Sequence, residues 1–214
     1  KVETTNTEAY EYYLKGKYKY EKRENSEDVE IARGLLNKAI ELNSYLIDAK
    51  LCLGRTYFYF EGDSNRAINY YNNCLELSNE LGEKINIAKS LSAIGAVHWK
   101  NYDIDLSREN CEAALKIFQD LHNESKVADV QRQLANLLAM EGKIYLAIKS
   151  YHSVVEIHKK FDDKIAIAHT LVCMANVIMG KDTMVTDDSI PALEANKYLS
   201  RAMKIGEDNN DYFL

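Results

Sequence analysis

Proline is almost missing from this chain: there is one in 214 residues, alongside nine glycines. Proline cannot continue a helix and glycine weakens one, so this scarcity excludes a loop-rich or low-complexity chain and fits an ordered, helical one. Basic charge is also short. The formal net charge is −6, whereas phosphate-backbone binding needs clustered Lys and Arg, so nucleic acid is not an expected partner. No stretch reaches the ~20 apolar residues that cross a bilayer. The opening KVETTNTEAYEYYLKGKYKY is too polar for a secretion signal, so no membrane contact is expected. The four cysteines Cys52, Cys74, Cys111 and Cys173 form no C-x-x-C pair, which argues against a zinc knuckle or a thioredoxin-like site. They read as buried free thiols in a reducing, cytoplasmic setting.

Catalytic signatures are missing too. There is no G-x-x-x-x-G-K-[ST], no G-x-S-x-G and no H-E-x-x-H, the spacings that phosphate binding, nucleophilic attack and zinc hydrolysis would need. His152 and His158 are six residues apart, which places them poorly for sharing one helix face. His98, His122 and His169 stand alone. Asp103 and Asp105 alternate as in a calcium loop but lack its glycine and closing glutamate. They read instead as caps of a following helix. The expectation is a chain that is not an enzyme and carries no cofactor or metal.

What is present is a period. Within SLSAIGAVHWK, residues 90–100, Gly95 sits mid-helix, at a cost of roughly 1 kcal/mol relative to alanine. Such a glycine implies a neighbour too close for a side chain. Aligning it with other small residues gives Gly16, Gly54, Gly95, Ala135 and Ala175, separated by 38, 41, 40 and 40. A second column, Ala32, Ala67, Ser107, Ala147 and Ala195, is separated by 35, 40, 40 and 48. The columns Leu36, Tyr71, Cys111, Tyr151, Leu199 and Ala39, Cys74, Ala114, Val154, Ala202 move in step with the second. Steps of three and four within each unit belong to one helix face. Each unit therefore reads as two antiparallel helices, with Gly62 and Gly142 ending the first of them. Gly95 is expected to pack against Ser107 and Cys111 of its own unit.

These columns resemble the tetratricopeptide (TPR) repeats, through Leu53, Gly54, Tyr57, Ala67, Tyr71 and Leu77, and again through Leu134, Ala135, Gly142, Ala147 and Tyr151. The units run to about 40 residues, against roughly 34 in the common TPR, and in this they resemble the longer-repeat branch of kinesin light chains and cell-polarity adaptors. The resemblance implies an all-α fold, a right-handed α-α superhelix of about five repeats at 9–44, 47–80, 86–120, 126–160 and 166–206. Residues 1–214 are expected to form one such domain, excised from a longer chain because Lys1 is not an initiator methionine. An eight-residue insertion in repeat five holds Pro191, Asp187 and Asp188, and GEDNNDYFL, residues 206–214, reads as the start of a sixth repeat or a cap.

The resemblance also implies a concave groove lined by first helices, at positions six before, three before, one after and four after the small residue. Repeat one supplies Tyr10, Tyr13, Lys17 and Tyr20, and repeat two Asp48, Leu51, Arg55 and Phe58. Repeat three supplies Lys89, Ser92, Ala96 and Trp99, repeat four Asp129, Arg132, Asn136 and Ala139, and repeat five His169, Val172, Asn176 and Met179. Of these, Tyr13, Lys17, Asp48, Arg55, Phe58, Lys89, Trp99, Arg132, Asn136, His169 and Asn176 are the expected peptide-binding residues. The asparagines would hold a ligand's main chain, and Arg55 and Arg132 would take a carboxylate. The implied function is a non-catalytic protein- or peptide-binding scaffold, a regulatory or sensory module. The first repeat resembles those beside bacterial adenylate cyclase or protein-kinase domains, so the alternative is an intramolecular regulator packing on such a domain. An apolar end of the array left uncovered would permit dimerisation.

Overall fold

A computed structural model describes residues 2–182 and 190–208, with side chains from residue 6 to 180 and from 194 to 208. Among the described residues ten α-helices follow in order: α1 (Val2–Glu21), α2 (Ser26–Leu42), α3 (Ile47–Arg55), α4 (Ser64–Leu81), α5 (Lys84–Lys100), α6 (Ile104–Asp120), α7 (Glu124–Met140), α8 (Ile144–Lys160), α9 (Lys164–Asp182) and α10 (Ile190–Asp208). No strand occurs among the described residues. Asp187, Asp188 and the closing segment 209–214 lie outside them. The chain forms two compact units, one through Ile117 and the other from Phe118.

In the first unit the helices pair as α1 with α2 and α3 with α4, and α2 and α4 each pack on the next first helix. The small-residue column makes this pairing possible. A Cβ on Gly95 would stand 2.7 Å from Cys111 Sγ and 3.2 Å from the Ser107 carbonyl oxygen. The Ser107 hydroxyl donates to the Gly95 carbonyl at 2.8 Å, which fixes α6 on α5. Gly54 likewise lies under the Tyr71 ring, 2.6 Å from a virtual Cβ, and Gly16 under Leu36, 2.9 Å away. Around these contacts two apolar clusters form. Leu36 and Ala39 meet Ala49, Cys52 and Leu53, while Ala67, Tyr71 and Cys74 meet Ile94 and Val97. Cys52, Cys74 and Cys111 are buried free thiols, and burial pushes each one's pKa up, to about 11, 12 and 11 respectively.

Turn chemistry ends each helix. Gly62 and Gly82 close their helices at φ 72° and 69°, in the left-handed region that glycine enters freely. Asn25 and Asp63 accept from the Asp28 and Arg66 amides, capping α2 and α4. Asp103 directly precedes α6, at the place expected of a cap. Its carboxylate turns back to His98, with Nδ1 and Oδ2 3.3 Å apart, and Asp105 lies inside the first turn of α6.

The second repeat carries one irregularity. Residues Thr56–Glu61 continue α3 as a π-helical turn. Thirteen residues separate Gly54 from Ala67, against twelve from Gly95 to Ser107 and from Ala135 to Ala147. The wider turn absorbs the extra residue inside the helix. Side chains of three neighbouring helices donate to carbonyls of this stretch: Tyr20 Oη to the Arg55 oxygen at 3.2 Å, Arg33 Nη2 to Thr56 at 3.2 Å and Lys100 Nζ to Phe58 at 3.3 Å.

The second unit repeats the scheme with α7 on α8, α8 on α9 and α9 on α10. Its core joins Ala135, Tyr151 and Val155 to Ile167, Leu171 and Met174. Asn123 caps α7 and Asp163 caps α9, through the amides of Lys126 and Ala166.

Candidate functional site

First helices lie side by side within each unit: α1 and α5 flank α3, and α7 neighbours α9. Their shared faces carry the residues expected to meet a ligand.

On the first unit's face, Lys89 of α5 reaches Asp48 of α3, with Nζ and Oδ1 2.8 Å apart. That bond joins two repeats and neutralises both charges. Arg55 lies one residue past Gly54 on the same helix. It is exposed, no carboxylate lies within ion-pair distance among the described residues, and Tyr20, Tyr59 and Tyr71 stand around it. Lys17 is half-buried and lies 3.8 Å from Glu21 on its own helix. Trp99 is 38% exposed near the end of α5.

Four of the expected lining residues belong to the interior: Tyr13, Tyr20, Leu51 and Phe58. Phe58 is only 3% exposed and packs with Ile47, Leu51 and Tyr71, its ring covered by Lys100. The π-helical turn is the reason. Its extra residue advances the helix phase, so the exposed position equivalent to Trp99 falls on Tyr59, which is 61% exposed. Tyr13 is 9% exposed and joins Leu36, Ala39 and Leu53 in the core. Burial, with Asp48 second, pushes its phenol pKa well above the usual range. Neither side chain can present more than an edge to a ligand.

On the second unit's face, Asn136 is half-buried, and its Oδ1 accepts a hydrogen bond from the Tyr151 hydroxyl at 2.5 Å. The amide nitrogen keeps its two donors. Tyr151 occupies the column that Tyr71 occupies in the first unit, where Arg55 takes the place of Asn136. Leu199 fills that column in repeat five and cannot donate, and Asn176 there is exposed. His169 is exposed and Arg132 half-buried, each with polar or ring contacts of its own. Among the described residues no three His, Cys, Asp or Glu side chains come together as metal ligands, and no helix is long and apolar enough to cross a membrane.

The chain matches no protein-family profile and no curated protein. Solved structures match it along nearly its whole length. The TPR-like repeats of a kinesin light chain from Podosopora anserina share 14% identity at a TM-score of 0.51, over 97% of this chain and 96% of that one. BtubC (BKLC) from P. vanneervenii shares 17% at 0.59, over 100% and 94%, and the apo form of RapI shares 14% at 0.63, over 98% and 84%. The fold is that of the TPR-like repeat proteins, all-α and built from helix pairs.

Proposed function

We propose that this chain is a non-catalytic scaffold that binds a protein or peptide along the first-helix face, within a regulatory protein of the bacterial cytoplasm. The observation that carries this reading is Arg55, an exposed guanidinium without a carboxylate partner, set among tyrosines beside a neutral Asp48–Lys89 pair. Arginine and aromatic side chains are the groups that most often anchor an interface, and a guanidinium takes a carboxylate with two parallel hydrogen bonds. Tyr59, beside Arg55, and Trp99, four residues past the small residue of α5, carry large exposed rings. On the second unit the free amide donors of Asn136 and the exposed Asn176 suit a ligand's backbone carbonyls.

A phage-displayed library of random peptides, panned on the purified chain, tests the proposal. Enriched peptides should carry an acidic side chain or depend on a free C-terminal carboxylate. Arg55→Ala should weaken them by roughly tenfold or more, the worth of a hydrogen bond to a charged group. Failure to enrich any peptide, or equal retention by the variant, overturns it. The alternative, an intramolecular regulator resting on an attached cyclase or kinase domain, draws on Tyr10, Leu14 and Tyr18, exposed at four-residue spacing along α1. It expects no enriched peptide.

A further inference from the structure

His158 is fully buried near the end of α8, and neither ring nitrogen makes a hydrogen bond among the described residues. A neutral imidazole offers one donor and one acceptor, and leaving both unmatched in the interior is costly. The repeat pattern sharpens the anomaly. Ser78, Phe118 and His158 occupy one column of the repeat. Ser78 satisfies its hydroxyl on the Cys74 carbonyl at 2.6 Å, and Phe118 has nothing to satisfy.

The charged groups facing the ring are Lys126, Asp129 and Arg132 from α7, and Asp163 from the turn before α9. Asp163 is occupied as the α9 cap. Asp129 Oδ1 lies 3.7 Å from His158 Nε2, just beyond hydrogen-bond length, while Asp129 Oδ2 is held by Lys126 Nζ at 2.7 Å. Lys126 is partly exposed, so it can exchange this partner for water.

We propose that His158, Asp129 and Lys126 form a proton-driven exchange, in which protonation of the buried imidazole draws Asp129 away from Lys126 and frees the lysine at the surface. Burial holds the ring neutral at pH 7, with its pKa below the ordinary imidazole value. The proton arrives on a ring nitrogen, Nε2–H then donates to Asp129, and the three-residue cluster gains one positive charge. As pH falls through the ordinary imidazole range, the unfolded chain takes up a proton that the native state resists, so the second unit loses stability there. The exchange needs only α7 and α8; because Asp129 is itself one of the expected groove positions, the test is made on the chain without peptide, where it stands or falls apart from the binding reading.

The test is a proton titration of the full chain by NMR on the histidine rings, paired with urea unfolding at several pH values. His158 should titrate below the ordinary imidazole value. Asp129→Asn should lower its midpoint further and Lys126→Ala should raise it. The unfolding stability of His158→Phe should lose the wild type's fall between pH 7 and 5. A midpoint at or above the ordinary imidazole value, or one unmoved by both α7 variants, overturns the exchange. So does an unchanged pH profile in His158→Phe.

Discussion

Gly95→Ala sets helix propensity against packing at one position. Alanine improves helix propensity by about 1 kcal/mol. The new methyl would stand 2.7 Å from Cys111 Sγ, where ordinary contact begins near 3.4 Å, and 3.2 Å from the Ser107 carbonyl. Overpacking of this kind costs typically about 1–3 kcal/mol, so the substitution should be neutral to destabilising by about 2 kcal/mol. Cys111→Ala removes the sulfur and leaves only the milder carbonyl contact. In that background Gly95→Ala should be neutral or stabilising by up to about 1 kcal/mol. The double-mutant cycle should therefore show a coupling of about 1–3 kcal/mol, read from urea unfolding followed by helical circular dichroism. Independent sites add within about 0.5 kcal/mol. A coupling that small would mean α6 does not rest on α5 through this pair.

The turns and surface charges give two further outcomes. Tyr102 stands at φ 64°, where neighbouring repeats use Gly62 and Gly142, and its side chain is 79% exposed. Tyr102→Gly should therefore raise stability by about 1 kcal/mol, and an unchanged unfolding midpoint would show that the ring makes an offsetting contact. Lys19, 2.5 Å from Asp28, is the main reason that this carboxyl's pKa lies below its ordinary range, with the Glu24 amide second at 2.7 Å. The carboxylate's contribution is complete above the ordinary range and should fade as pH falls from about 4 downward. Asp28→Asn should flatten the acid limb of the first unit's stability, and an identical limb would show that the pair contributes nothing.

The helix pairs were legible because small residues must recur wherever two axes approach closely, and Gly16, Gly54 and Gly95 lie under Leu36, Tyr71 and Cys111 as their columns imply. Side-chain facing was less legible. Counting four residues past Gly54 assumes an unbroken α-helix, yet the step of 41 against 40 already marked one residue too many before Ala67. Read as a π-helical turn, that surplus moves Phe58 inward and Tyr59 outward. Tyr13 carried no such signal. Its burial depends on how α1 tilts onto α2 and α3, which spacing along one helix does not encode. The Tyr151–Asn136 bond depends on where a hydroxyl lands at the end of a long ring, so the column named both residues but not their contact.

The irregular turn at Thr56–Glu61 also governs how the first unit melts. A linear array joined only through adjacent faces can fray one repeat at a time from either end. Here donors from α1, α2 and α5 converge on one stretch of backbone. Peeling away the first or the third helix pair takes a donor from a carbonyl belonging to the second. Three pairs are thereby welded into one cooperative block, and denaturation of that block should be abrupt, not sequential.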